Sequence, residues 1–360
     1  MANRIKPLDK HYYHSTDVFE REKELIFHST WQLACHESQL KNAGDYVCLQ
    51  ITDQSVFVIR AGGGELKAFF NVCQHRGHEL LQGAGNTKKT IICGYHAWGY
   101  GIDGELRTAR HCLGKDDFDP CNFSLEPVRV EVAARFVFVN LDQHAPSLQE
   151  TAGDMFDDIK KHAPQWESVE VSTDYDIDGP DLAANWKILA ENCLECYHCA
   201  SSHPAFCDLI DMDTYQATVH GQWLRSYGEL GKSKNKAYDV DPDEPSQTAI
   251  YWHLWPNTEI IVYPGEAAMT TFRLHPKSEQ LTETSSLMLL KAGEMVASER
   301  LDYRWNTLWP EDRRICTSVH KGLQSKGYRG GYLVLNEDHH SVSEHAVAAV
   351  QAIYRQRMDI

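Results

Sequence analysis

Between Cys73 and His96 the chain reads CQHRGHELLQGAGNTKKTIICGYH, and no other stretch constrains the molecule as tightly. Cys73 and His75 are followed by a gap of seventeen residues and then by Cys93 and His96. Two thiolates and two imidazoles presented by two short loops can close a tetrahedral zinc shell. They can equally grip a [2Fe–2S] cluster, Cys73 and Cys93 on one iron and His75 and His96 on the other. The distribution favours the cluster. A zinc finger groups its Cys together and its His together, whereas here each loop carries one of each, as a two-iron unit held from both sides requires.

The surroundings of these loops read as antiparallel β structure. From Trp31 the runs TWQLACH, DYVCLQI, QSVFVIR, LKAFFNV, TIICGYH, VRVEV and ARFVFVNL alternate with turn signals such as Ala61-Gly62-Gly63-Gly64 and Asp103-Gly104. This predicts a β domain over residues 31–145 with both ligand loops at one end. Before it, residues 1–30 form an arm with the helical DVFEREKELIFHS, packing on the body or on a neighbouring subunit. After it, Leu148 to Pro164 reads as an amphipathic helix leading into a domain over 146–360. There the runs VEVSTDYDID, TYQATVHGQWLRSYGEL, TAIYWHLWPNTEIIVY, AMTTFRLHP and TSSLMLLKAG predict long antiparallel strands. Helices are predicted over Leu182–Ser201, Ser298–Lys326 and Val342–Arg357, and the polar stretch 231–247 as a mobile loop. The fold class is therefore α+β, with a curved antiparallel sheet packed around a long helix and enclosing a cavity for a small ligand.

A second set of ligand-type residues follows in ANWKILAENCLECYHCASSHPAF. On a continuous helix Asn192, Glu195 and His198 share one face, and His203 comes as the helix gives way. Two His five apart can supply two-thirds of the 2-His-1-carboxylate set that holds iron(II) with open positions, or His198 can equally be a satisfied core histidine and Pro204 simply the end of the helix. Cys193, Cys196 and Cys199 read as helix-packing residues, since an iron–sulfur motif of that spacing belongs on a loop. Of eleven Cys in all, most are expected to be small buried hydrophobes and not disulfide partners.

The first loop pair, with HRG after Cys73 and Tyr95 before His96, resembles the Rieske motif; it departs at Gly94, where that motif usually carries Pro, which predicts a looser loop. Together with N-W-K-x4-E-N-x2-E-C-Y-H-C-x3-H-P downstream, the whole chain resembles the α subunit of Rieske non-haem iron oxygenases. The wording around Glu195 resembles the branch that attacks quaternary ammonium compounds: carnitine, glycine betaine, stachydrine and choline-like substrates. That resemblance extends to the segment holding Glu311, Asp312, Cys316, Val319, Gly322, Leu323, Ser325 and Tyr328, with His320 where the branch has Gln. It implies His198, His203 and Asp312 as ligands of a mononuclear iron(II), Asp312 being preferred to Asp338. It also implies a homotrimer in which the cluster of one subunit feeds the iron of the next through Glu195, with Asn192 near the ligands. Most members carry Asp at the bridging position.

A quaternary cation is held over aromatic faces. Trp223, Tyr227, Tyr251, Trp252, Trp255 and Tyr263 are the candidates, with Arg225 or Arg273 for a betaine carboxylate. O2 is the co-substrate. The chain shows no flavin- or nicotinamide-binding Gly-rich turn, so a separate flavin/iron–sulfur reductase using NAD(P)H must feed it. With 35 basic against 51 acidic residues the net charge is −16, which argues against nucleic acid and anionic membrane as partners. A start without an apolar core, and the lack of a spanning run, point to the cytoplasm. Two other readings use the same motifs: an oxygenase of aromatic acids or rings, and an electron-transfer protein without the mononuclear site.

Overall fold

Alternating apolar residues and tight turns fold most of the chain into antiparallel sheet, divided between two units: Phe27–Glu150, and Met1–Ile26 with Thr151–Ile360. The computed structural model describes every residue except 1–4, 176 and 337. The first four residues of the expected arm, and Asp176 in the expected strand VEVSTDYDID, lie outside the described residues.

In the unit Phe27–Glu150 the strands run across the sheet in the order Gln32–His36, Phe136–Asn140, Pro127–Ala133, Leu66–Phe70, Gln54–Arg60, Asp45–Ile51, Ala84–Asn86. A small sheet of Thr90–Ile92, Gly99–Gly101 and Leu106–Thr108 carries the second ligand loop. All seven β runs expected from the sequence fall on these strands. Between the sheets lies a core of Phe57, Ile59, Phe69, Ile91, Trp98 and Tyr100, and Cys73 and Cys93 are part of it.

The other unit holds an eight-stranded sheet. Its order is Glu170–Val171, Leu281–Leu290, Met269–Ser278, Thr258–Val262, Thr248–Leu254, Trp223–Glu229, Gln216–His220, with Ile177–Leu182 also on Leu281–Leu290. Two runs expected as single long strands are hairpins. Gly221 and Gln222 turn the chain between His220 and Trp223, Gly221 at φ +78°, a conformation open to a residue without Cβ. Residues 255–257 turn it again before Thr258–Val262.

The helices are more broken than their periodicity suggests. Leu148–Pro164 splits into Leu148–Ala152 and Met155–His162 at Gly153, whose φ is +55°. Leu182 ends a strand, so the next helix covers only Trp186–Asn192, capped by the Asn185 side chain accepting from the Lys187 amide. Residues 193–198 form a turn before the short helix Cys199–Ser202, so Asn192, Glu195 and His198 do not share a helical face. This turn brings the Cα atoms of Cys196 and Cys199 to 4.9 Å, and the two are joined by a disulfide; they are not independent packing residues. Ser298–Asp302, a π-helical Tyr303–Leu308 and Trp309–Leu323 follow one another without a break. Pro310 cannot donate to the preceding turn, and the ladder shifts there: the Trp309 amide reaches back to the Arg304 carbonyl.

The polar stretch 231–247 is irregular but anchored, since Tyr238 and Val240 are buried and the Tyr238 hydroxyl donates to the Pro264 carbonyl at 3.2 Å. The arm is tied down as well. Glu22 is fully buried and accepts from Lys187 Nζ, Trp186 Nε1 and the Tyr354 hydroxyl at 2.5, 2.8 and 2.6 Å. No described helix is long and apolar enough to cross a membrane.

Candidate metal centres and cavity

The two ligand loops close in the same way. In the first, the Cys73 amide donates to the His78 carbonyl and the Gly77 amide to the Cys73 carbonyl. In the second, the Cys93 amide donates to Trp98 and the Ala97 amide to Cys93. Gly77 and Ala97, at matching positions, both take positive φ, +72° and +60°. Gly94 leaves this frame intact. His75 and His96 face each other with ring centroids 4.5 Å apart, and His75 is stacked on Trp98 at 4.8 Å. Both thiols are buried, and the Tyr100 hydroxyl stands 3.3 Å from Cys73 Sγ while accepting from the Gln74 amide at 3.0 Å.

These residues fit a two-iron cluster. His96 Nδ1 is buried without a protein partner, as a nitrogen reserved for a metal would be. A tetrahedral zinc would draw all four ligand atoms onto one ion. Among the described residues, however, the one set of three ligand atoms within 4.8 Å of one another is elsewhere, at His198, His203 and Asp312.

That set lies where the turn 193–198, the short helix after it and the helix Trp309–Leu323 converge. His198 Nε2 is 3.1 Å from His203 Nε2, and Asp312 Oδ1 is 2.9 Å from the latter and 3.7 Å from the former. Each ring places its other nitrogen on a carboxylate: His198 Nδ1 on Glu195 Oε1 at 2.5 Å, and His203 Nδ1 on Glu311 Oε2 at 2.8 Å. With the ring protons held there, three lone pairs converge on one point, which a metal ion satisfies at once and, without one, a second proton on a ring satisfies in part. Burial works against a charged His198, but the Asp312 and Glu195 carboxylates outweigh it and lift the ring to about 9. Burial likewise raises Asp312, yet bonds from both rings win and leave its carboxyl below the usual aspartate range. Asn192 Nδ2 approaches His198 Nε2 at 3.3 Å. Asp338 is exposed and outside the set.

A cavity of about 130 Å³ opens beside the triad. Apolar holes of that order accept a ligand of about benzene size. Its wall is one face of the sheet, and register decides which residues belong to it. Ser226, Tyr251 and Ile261 pair across neighbouring strands, as do Arg225, Trp252 and Ile260 on the opposite face. Tyr251, Tyr263 and Phe272 therefore face the cavity, joined by Trp305 and Trp309 from the long helix.

Trp223 and Trp252 do not line it. Their indole nitrogens donate to Asp154 and Asp158 of the covering helix at 3.2 and 2.7 Å, and Arg225 pairs with Asp158. Trp255 lies against Arg357 and a second cavity, Tyr227 bonds to Glu229, and Arg273 is on the far face with Thr258. Of the aromatic candidates the structure keeps Tyr251 and Tyr263. The basic residue in the wall is Arg304, bound to Glu266 at 2.5 Å with both side chains buried, its guanidinium 4.5 Å from the Tyr263 ring.

Sequence reasoning missed Glu311, Tyr100 and Arg304. The adjacent acids Glu311 and Asp312 at a helix start were a usable signal for the first; the other two carry none.

Comparison with known proteins matches residues 30–116 to the Rieske [2Fe-2S] domain and residues 165–360 to the ring hydroxylating alpha subunit (catalytic domain). The carnitine monooxygenase oxygenase subunit of Acinetobacter pittii (strain PHEA-2) is 34% identical over 350 residues, covering 96% of this chain and 93% of that protein. That of Escherichia coli (strain K12) is 35% identical over 340 residues, covering 94% and 90%. A solved quaternary ammonium Rieske monooxygenase, described for carnitine oxidation and inter-subunit electron transfer, superposes with a TM-score of 0.90 at 32% identity, covering 98% of this chain and 95% of that one.

Proposed function

The chain belongs to the Rieske non-haem iron oxygenases, and on that premise we propose that it is the oxygenase component of a two-component monooxygenase hydroxylating a carbon next to nitrogen in a quaternary ammonium or betaine-like substrate. The observation that carries this reading is the cavity beside His198, His203 and Asp312, walled by the rings of Tyr251, Tyr263, Phe272, Trp305 and Trp309. A trimethylammonium group has no N–H to donate, so aromatic faces are its natural partners. The one basic residue among those lining the cavity, Arg304, is already neutralised by Glu266. The carnitine monooxygenase relatives support the same substrate class.

Iron(II) at the triad supplies the dioxygen-activating chemistry, and the [2Fe–2S] cluster supplies electrons. Cys73, His75, Cys93 and His96 hold the cluster. His198, His203 and Asp312 hold the iron, oriented by Glu195, Glu311 and Asn192. Electrons enter through Glu195 from the cluster of a neighbouring subunit in a homotrimer. Glu195 and His198 open onto a surface groove that also holds the exposed Val319 and Tyr328, an apolar rim suited to a protein neighbour. The enzyme works in the cytoplasm, fed by a separate NAD(P)H-dependent flavin/iron–sulfur reductase.

The test is oxygen-dependent turnover with such a reductase on carnitine, glycine betaine, choline and, as controls, benzoates. Formaldehyde would report attack on an N-methyl group, and trimethylamine attack on the other carbon at nitrogen. Turnover of benzoates alone would overturn the substrate reading. Glu195→Gln is expected to leave both metal centres filled while slowing reoxidation of the reduced cluster; unchanged single-turnover rates would remove the bridge.

A further inference from the structure

Putting one oxygen atom into a C–H bond sends the other away as water, and that water takes up protons as well as electrons. The cavity beside the triad is walled mostly by rings and aliphatic groups, so its proton source needs a carrier. Three carboxylates line it, and two are committed: Asp312 to the triad and Glu195 to His198. The third, Glu259, is not bonded to the triad. It sits on the cavity face of the strand Thr258–Val262, directly across the ladder from His253, whose Nδ1 lies 3.0 Å from Glu259 Oε1.

His253 is 6% exposed, and its Nε2 is buried with no hydrogen-bond partner. Leaving such a nitrogen dry is unfavourable, so a polar partner such as water is expected there. The ring lines a second cavity of about 40 Å³, which Glu259 also borders. That space accepts roughly three ordered waters. Thr258 Oγ1, likewise buried and unpartnered, and Glu191 line it too. Glu259 thus belongs to both cavities, and His253 only to the second.

We propose that His253 and Glu259 form a proton relay carrying protons from water in the second cavity to the oxygenase cavity. A water in the second cavity gives a proton to Nε2 as it takes one from Glu191, which is reprotonated from solvent, and the imidazolium releases its Nδ1 proton to Glu259 Oε1. The carboxylic acid then delivers that proton to the oxygen being reduced, and the ring, left protonated at Nε2, resets by turning its bare Nδ1 to water and taking a proton there as it gives the Nε2 proton back. Charge and protons balance, since each proton entering at Nε2 leaves at Glu259. Glu191, which bonds to Tyr13 and Gln351, is pushed by burial up to about 7, so a group able to give or take a proton near neutrality faces the same water. Tyr251 stacks on the His253 ring at 6.4 Å; Lys187, held by Glu22, and Tyr354 also line the second cavity, and Cys193, Tyr215, Tyr263 and Arg304 the first.

The relay rests on oxygenase chemistry and not on which amine is the substrate, so its first test needs neither metal nor substrate. In the metal-free full chain labelled with 15N-histidine, His253 is expected as the Nδ1–H tautomer with Nε2 in exchange with water, and Glu259→Gln should shift its Nδ1 resonance. A ring that does not exchange with water overturns the relay. In the complete system with reductase and L-carnitine, His253→Gln should lower kcat about tenfold or more. KM should stay within about twofold, because the residue does not touch the substrate cavity, and the solvent deuterium isotope effect should rise. Wild-type kcat and isotope effect in this variant refute the proposal. Should His253→Gln fail to fold, Glu259→Gln, with Glu259→Asp as partial rescue, reads the same loss.

Discussion

In the unit Phe27–Glu150 the residues proposed to hold the cluster sit in two turns that fix themselves, each closed by bonds between its own Cys and residues four and five further on. In the other unit Asp312 stands 109 residues from His203, and reaches it only because the helix Trp309–Leu323 packs against the helix Trp186–Asn192. The first centre is a local structure that a few residues specify. The second exists only when its whole unit is folded. Local loops suit a cluster that must keep one geometry while electrons come and go. An assembled site can instead combine ligands from one element with a pocket wall from another, and so separate metal binding from substrate choice.

The sharpest way to break this contrast is Asp312→Ala. The mononuclear iron should be lost and turnover fall at least about a thousandfold, while the brown cluster stays, total iron dropping from about three to about two per chain. Iron and sulfide analysis checks it, and an unchanged iron content would return Asp338 to contention. Next in size is Glu311→Gln, which removes the carboxylate on His203 Nδ1 and should weaken iron affinity about 10–100-fold without touching the cluster. Metal titration of the stripped protein reads that directly.

Wall and ligands can be separated by a matched pair of substitutions. Tyr251→Leu should raise KM for a trimethylammonium substrate about 3–30-fold, the range of a desolvated cation–π contact. Its neighbour Trp252→Phe, which loses the bond to Asp158 and part of a fully buried indole, should leave KM alone and cost about 2–4 kcal/mol of stability. Equal effects on KM would mean that the register argument fails. A separate effect is a pH slope from Glu191. Because burial raises this carboxyl to about 7, the folded chain binds more protons than the unfolded one between the usual glutamate range and that value. Its contribution to stability therefore falls as pH rises through that window. Urea midpoints at pH 5 and pH 8 should differ less in Glu191→Gln than in the wild type.

Much of this was legible from residues alone where the signal is local. The Cys73–His96 stretch, the β runs from Gln32 to Asn140, and the pair His198 and His203 all announce themselves within a few positions. The pocket was not legible. Trp223, Trp252 and Trp255 look as good on paper as Tyr251 and Tyr263, yet alternation already forbids Tyr251 and Trp252 from facing the same way. Which of the two faces inward depends on the helix Met155–His162, whose Asp154 and Asp158 claim the tryptophans. Asn192, Glu195 and His198 were read as a helical stripe, whereas a turn brings Glu195 onto His198.

The sequence by itself determined the ligand types, their order and the antiparallel character of both units, because these follow from spacing and from a two-residue period that short-range geometry enforces. Only the tertiary structure decided that Glu311 steadies His203 and which sheet face becomes the pocket, and it alone brought Asp312, which the family resemblance had implied, to 2.9 Å from His203. Those facts depend on strand register and on the seating of two helices, contacts between residues a hundred or more positions apart that no local pattern encodes.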